Sequence, residues 1–467
     1  MRILKVFLLV LFLSILSFAQ PSEALQFKAR IGFIETGERI IAQKFFADDN
    51  KLVLIGRKSI QLWDVENAKL IAARPHDIPN LDKAGISVVI SPDAQKAIVL
   101  DSFSWRIIRK EKKVSATVWD LQTGKQIAVL ERPTESIRDA EWSENGATLI
   151  TYSGIFNDKR TEVSFWDGAS LTFRNSILLM GNLLLRQLSR DGERLFTSVE
   201  KSGVTFLGGY KSEGKATVWN AQHGKVEQNL TFGAGKNSFG FSLFKSVSPN
   251  ERYFAANAPG KISVWEIGGS DLPKYEIRAA KKDSEILFYG FSDDGKYLIA
   301  YQYQAYQYKN RTLEFYDAAN GEFRFSPPNT KSYENVKLLA DGKTLVLQNC
   351  ERADVFNLTT RQKLYDLKLV CKSDFDYVST SYRDFDILRF HPNGRFLLTF
   401  SDKTVRVWNA ENGALAQTMV DPNRAENKRK DKNKDDGLSW SAGWLRDGKY
   451  LFASGADEKS ILLWEMK

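Results

Sequence analysis

Histidine and cysteine are scarce: three His and two Cys in 467 residues. His76, His223 and His391 lie far apart along the chain. A Ser-His-Asp triad and a His-built metal centre both need imidazole beside its partners, so neither is expected. No nucleophile elbow, paired-histidine zinc helix or Lys-containing phosphate loop is found either. The reading assigns no catalytic residue, no cofactor and no metal, and expects a protein that is not an enzyme. Two cysteines cannot make a disulfide-dense scaffold, but they allow one bond, Cys350 to Cys371. After residue 18 no apolar run approaches the ~20 residues that cross a bilayer. Charged residues are 26% and hydrophobic ones 43%, a globular composition with ample core.

Residues 1–19 stand apart. Arg2 and Lys5 precede an apolar run from Val6 to Phe18, and Ser17-Phe18-Ala19 has the small-residue pattern of a cleavage site. This is the layout of a secretory signal, and residues 20–467 are then the mature domain. The apolar run is too short for an anchor, and no Cys follows it to carry a lipid. The expected location is periplasmic or extracellular, with no transmembrane segment once the signal is removed. Without Arg2 and Lys5 the chain keeps 64 basic and 57 acidic side chains, a net +7. That is a modest surplus for so large a surface, and an exported protein has little call to meet nucleic acid, so no nucleic-acid partner is expected.

The chain is organised by repetition. Residues 386–413 read as three short strands: Ile387 to Phe390, the turn His391-Pro392-Asn393-Gly394, Arg395 to Phe400, a second turn, then Val405-Arg406-Val407-Trp408. β-Branched and aromatic residues suit the strands, and Asn and Gly suit the turns. The third strand recurs with an aromatic residue at Trp63, Trp119, Trp166, Trp219, Trp265, Tyr316, Phe356, Trp408 and Trp464, usually followed by Asp, Asn or Glu. Upstream of each lies an apolar hairpin with a turn such as SENGA, SRDGE or SDDGK. A period of about 40–50 residues with four strands per unit is the signature of propeller blades.

On these residues the chain resembles the WD-repeat family over nearly all of 25–467. The resemblance implies an all-β, single propeller of four-stranded blades. Counting gives nine; eight is the fallback if the seventh unit, with Phe356 in place of Trp, is discounted. The family's Gly-His pair is absent, so its hydrogen-bonded network is not expected. Asp402 matches the family's acidic position before the third strand. The last unit stops after its third strand, and the alternating segment 25–33 is expected to supply the missing strand and close the ring.

In such a blade, turns after the first and third strands share one face, and those after the second and fourth share the other. The first face carries only tight turns. Insertions fall on the second, at 102–115, 154–161, 201–215, 301–311, 372–386 and 421–437. Inserted loops on a rigid scaffold often carry binding, so a protein partner on this face is expected. The candidate contact residues are Trp105, Arg106, Arg109 and Lys110 in one loop, and Tyr303, Tyr306 and Tyr308 in an extended hairpin, since Tyr and Arg concentrate at interface centres. The Tyr and Gln of that hairpin also suit a glycan. Equally, its Tyr residues would simply pack against the next blade. Cys350 and Cys371 fall on the same face within one unit. Asp431, Asn433 and Asp435 resemble part of a calcium loop, but Asp436 and Ala442 replace its Gly and Glu, so no metal is assigned. The protein is expected to be a monomeric scaffold; the alternative is a propeller enzyme or carbohydrate-binding module using carboxylates at the channel mouth.

Overall fold

The computed structural model describes residues 32–465, apart from 47–50, 80, 82–85, 102–115, 132–136, 155–159, 205–209, 237–244, 259, 280–283, 305–310, 328–334, 340–342, 350–351, 361, 369–386, 392–393, 402–403, 421–441, 445–447, 449 and 455–458.

Five of the repeats open with a hairpin whose turn follows one chemical rule. A buried Ser at the end of the first strand accepts the N–H five residues on and donates to the Asp or Asn two residues on. Ser143 Oγ accepts from Thr148 N at 2.9 Å and donates to Asn145 Oδ1 at 2.7 Å. Ser91, Ser189, Ser248 and Ser292 repeat the pattern with Asp93, Asp191, Asn250 and Asp294. The Asp or Asn in turn accepts the N–H two residues ahead of it, as Asp191 does from Glu193 at 2.9 Å, which is local capping by a short polar side chain. Gly146, Gly192 and Gly295 follow with φ near +70°, a conformation only glycine adopts freely.

The strands so started form nine four-stranded antiparallel sheets, with no helix among the described residues. Eight are built in chain order, from residues 40–75, 86–130, 137–180, 182–236, 245–278, 284–325, 335–368 and 387–420. In the ninth, Ala442–Trp444, Tyr450–Ser454 and Ser460–Glu465 are completed by Gly32–Glu35, which pairs antiparallel with Ser460 to Leu463. The ring therefore closes as its sequence implies, with nine blades and the seventh intact. The closing pairs begin at Gly32; residues 25–31 of the expected strand lie outside the described residues.

First strands of neighbouring blades approach one another, for example Ile40–Phe45 with Ile86–Ile90 and Lys245–Val247 with Ser284–Phe291. Fourth strands are the most exposed. The first strands thus line the axis and the fourth form the rim.

Cores lie between blades, one per seam. Nine hydrophobic clusters each combine residues of two adjacent blades. Between blades 3 and 4 the cluster holds nine buried side chains, among them Ile150, Phe165, Leu188 and Leu195. Large apolar side chains contribute about 1.5–3 kcal/mol each before entropy is subtracted, and a cross-blade hydrogen bond about 1. Packing holds the ring, and polar contacts set its register. The recurrent third-strand aromatics belong to these clusters. Several exposed apolar residues are their covers on the rim: Phe173 lies edge-on to Trp166 at 5.4 Å, and Phe323 to Tyr316 at 5.8 Å.

Candidate binding surfaces

The two faces of the disc use their polar groups differently. On the tight-turn face the repeat's own acids are spent on the turns. Asp64, Asp120, Asp167, Asn220, Asn357 and Asn409, which follow the third-strand aromatics, each accept backbone N–H groups two or three residues on. Asp167 also pairs with Arg174 at 2.6 Å, and the Ser170 amide, then Arg174, hold its carboxyl far below the usual range. The same face is laced from blade to blade. Asn175 Nδ2 donates to Gln222 O at 2.8 Å, Tyr275 to Ala318 O at 2.7 Å, and Tyr365 to Ala410 O. Each of these three residues packs on the turn glycine of the following blade, Gly224, Gly321 and Gly413.

His391 belongs to this lacing. It takes the Ser position in the eighth blade, and its Nε2 lies 2.9 Å from Gly448 O in the ninth, with its ring against Phe396 and Trp444. His76 bonds Gly56 O at 3.0 Å, and His223 caps a turn through its backbone. All three histidines serve local structure.

The family's His network is absent, and the indoles find other acceptors. Trp166, Trp219 and Trp408 donate to second-strand Thr151, Thr197 and Thr399 at 2.8–3.0 Å. Trp265 donates instead to Asp271 O at 3.1 Å.

On the insertion face, Trp105, Arg106, Arg109, Lys110, Tyr306, Tyr308, Cys350, Cys371, Asp402 and the 431–436 segment lie outside the described residues. Tyr303 is described, and of the two readings of its hairpin it follows the packed one, which corrects its place among the exposed contact residues. It is 4% exposed, and its hydroxyl donates to Glu285 Oε2 at 2.7 Å. Tyr301 packs with Val336, Leu338 and Leu345 of the next blade. Tyr301 and Tyr303 share one face of the second strand Tyr297–Gln304, and both are buried.

The 201–215 insertion is no loop at its base. The second, third and fourth strands of blade 4 run long, as Arg194–Val204, Tyr210–Asn220 and Lys225–Lys236. They stay paired as far as Val204 opposite Tyr210 and Lys211 opposite Lys236. The first strand, Asn182–Leu188, stops with Asn182 opposite Glu200. Four further residues extend roughly 13 Å past that point. Phe232 roots the extension: it is buried against Phe254 and Trp265 of blade 5, and a Cβ on Gly214 would come within 2.2 Å of its ring.

A third surface, along the axis, was missed in the sequence. Asp139 and Glu141 on the first strand of blade 3 meet Arg186 on the first strand of blade 4. Arg186 pairs with Asp139, and its guanidinium lies 4.3 Å from the centre of the Tyr152 ring. Tyr152 donates to Glu141 at 3.3 Å. Burial raises the Glu141 carboxyl above its ordinary value and pushes the Tyr152 hydroxyl far above its own. The phenol therefore stays protonated and the Asp139 carboxylate is neutralised by its partner, an arrangement suited to holding a seam. Charged residues in IRDAEW and NLLLRQL, at strands otherwise rich in apolar residues, were the available signal. Among the described residues no group of three or more His, Cys, Asp or Glu is placed to hold a metal.

The WD domain, G-beta repeat family matches residues 379–409, the eighth blade's first three strands and the approach to them. The chain is a nine-bladed β-propeller whose eighth blade is similar to a WD repeat. No curated protein matches it. The crystal structure of a eukaryotic initiation factor overlays with a TM-score of 0.55 at 12% identity, covering 84% of this chain and 89% of that one. The C-terminal WD40 domain of Sif2 gives 0.44 at 13% identity over 95% and 98% of the two chains. BamB from Moraxella catarrhalis gives 0.42 at 13% over 94% and 99%. The first likeness supports the propeller fold alone; the other two overlay too loosely to add to it. The fold itself selects no partner.

Proposed function

We propose that this propeller is exported and acts outside the cytoplasm as a non-catalytic scaffold that holds a protein partner on its insertion face. The observation that carries the reading is the division of labour between the faces. Turn hydroxyls, carboxylates and amides on the tight-turn face are engaged with their own or the neighbouring blade. The sequence assigns its long insertions to the other side, and among the described residues the second to fourth strands of blade 4 run roughly 13 Å past its first strand there.

Export is supported by the basic, apolar and small-residue layout of residues 1–19. Sequencing the N-terminus of the natural protein should give Gln20; an intact Met1 overturns this part. The binding face is tested by deleting residues 105–113 and comparing capture of partners from the native envelope or medium. Reduced capture with unchanged thermal stability is expected, and unchanged capture overturns the reading. The enzyme alternative would have to use carboxylates such as Asp139 and Glu141 on the axis, and Arg186 and Tyr152 already engage both. Turnover of a glycan or peptide panel by the purified protein, lost in Glu141→Gln, would favour it.

A further inference from the structure

We propose that the turn between the third and fourth strands of blade 5 is a docking knob anchored by Leu272, and that it fits a protein partner whose apolar socket has lips of opposite charge. This goes beyond the insertion-face reading, because the knob stands on the opposite face of the disc. In blades 1–4 and 6–8, four or five residues separate the third strand from the fourth; in blade 5 there are eight, Ile267–Lys274. The expectation that this face carries only tight turns is corrected there. Leu272 is 74% exposed, against 57% for the next large apolar side chain among the described residues. Phe173 and Phe323, exposed just past the corresponding turns of blades 3 and 6, lie on their third-strand aromatics. Blade 5 leaves Leu272 no such task, since Trp265 is fully buried against Phe232 and Phe254.

A lone exposed leucine is ordinary, but this one stands on a built support. Gln228 of blade 4, itself buried, donates to Glu266 O at 3.0 Å and Ser270 O at 2.8 Å, and accepts Gly268 N at 3.1 Å. Asp271 accepts Asn229 N at 3.0 Å, and its carbonyl takes the Trp265 indole at 3.1 Å. Ser270 Oγ accepts the Leu272 amide at 3.1 Å, and Lys274 N donates to Val264 O at 2.7 Å. Blades 3, 4 and 8 supply their indoles with a second-strand Thr. The matching position in blade 5 is Ala256, so the core of this blade depends on the loop. Pro273 further confines Leu272 to extended backbone. An anchor held this way loses little freedom on binding.

The ground on either side of Leu272 differs in charge. Toward blade 6, Lys274 Nζ and the Arg252 guanidinium lie 5.4 and 5.8 Å from the centre of the Tyr253 ring, which packs in the seam between blades 5 and 6. Glu266 pairs with Lys274 at 2.7 Å, and the exposed Arg252 makes no ion pair among the described residues. Toward blade 4 stands the Asp271 carboxylate, beside Asn229. A lipid or phosphodiester surface presents one sign of charge and would be opposed by Asp271 and Glu266. A protein socket can present both signs, an acid to Arg252 and a cation to Asp271. The leucine then supplies burial, and the two charges fix its orientation.

The test places p-benzoylphenylalanine at Leu272 of the full chain in its natural host and maps the photo-cross-linked peptide. One partner protein is expected, joined within an apolar segment that has an Asp or Glu beside it. With that protein purified, Leu272→Ala should weaken binding at least about tenfold and Leu272→Met less than about threefold, at unchanged melting temperature. Arg252→Glu should also weaken binding, and changing the partner's neighbouring acid to Lys should restore it. A photoproduct found only with lipid, or only with a second copy of this chain, overturns the proposal. So does the absence of any product beyond that given by the same label at exposed Leu178, or an affinity indifferent to Leu272→Ala. The cross-link should persist when residues 105–113 are deleted, so failure of the insertion-face reading leaves the knob standing and failure of the knob leaves that reading untouched.

Discussion

Gly413 offers a measurement of how much blade-to-blade fit contributes to this ring. It sits in the turn between the third and fourth strands of blade 8 at φ +71°, and a Cβ built there would lie 2.4 Å from Cδ2 of Tyr365 in blade 7. Gly268 occupies the corresponding turn of blade 5 at φ +80°, with nothing within 4 Å of the same Cβ. Replacing either with Ala brings the left-handed backbone penalty of about 1–2 kcal/mol. Only Gly413→Ala also drives a methyl into a neighbouring ring. That ring cannot swing away freely, because its hydroxyl donates to Ala410 O. Overpacking of this kind costs about 1–3 kcal/mol. The expected losses are about 2–5 kcal/mol for Gly413→Ala and 1–2 for Gly268→Ala. Equilibrium urea unfolding followed by tryptophan emission measures both, provided the denaturant slopes agree with the parent. Adding Tyr365→Ala to Gly413→Ala should recover part of the clash, giving a coupling of at least about 1 kcal/mol. Equal losses at the two glycines, or no coupling, would refute the reasoning.

Thr151→Val removes the acceptor of the Trp166 indole in a buried site, and a loss of about 1–3 kcal/mol is expected by urea unfolding. His391→Ser should be better tolerated than His391→Ala, since Ser restores the turn bonding of five other blades although both lose the bond to Gly448; equal melting temperatures would contradict this. Glu141 has a folded-state pKa raised by burial, so the folded chain holds its proton more tightly than the unfolded one. Its contribution is then most favourable at low pH and is lost as pH rises through the folded value. Glu141→Gln should therefore gain stability relative to the parent as pH climbs from about 4 to 7, read as a growing difference in melting temperature. A difference that does not move with pH would remove Glu141 from the account.

Much of the fold was legible because each blade is specified locally. The Ser-x-Asp/Asn-Gly turns carry their own hydrogen bonds, and the third-strand aromatics mark a period that no packing detail is needed to see. Closure was legible for the same reason, as an alternating segment at one end and a missing strand at the other. The axial cluster was not, because Asp139 and Arg186 are 47 residues apart and meet only through the register of two blades, each with a bulge on its first strand. Tyr303 was left open between contact and packing because alternation of Tyr and Gln marks a strand without saying which of its faces is covered. The blade 4 extension read as a loop because its glycines signal turns, whereas Gly214 is there to admit the ring of Phe232.

That the ninth blade is shared between the two ends of the chain also governs how the molecule can be made. Eight seams need only residues that follow one another in synthesis. The ninth brings Leu52, Leu54 and Trp63 against Tyr450, Ile461 and Leu463, and it cannot form until almost the whole chain has emerged. Until then blade 1 presents an apolar flank and blade 9 an open strand edge, the surfaces from which misassembly starts. Closing a loop of this length is slow, but its entropic cost grows only with the logarithm of length. The consequence is a protein that is most vulnerable in the last moments of its synthesis and, once blades 9 and 1 have met, has no terminal blade from which to fray.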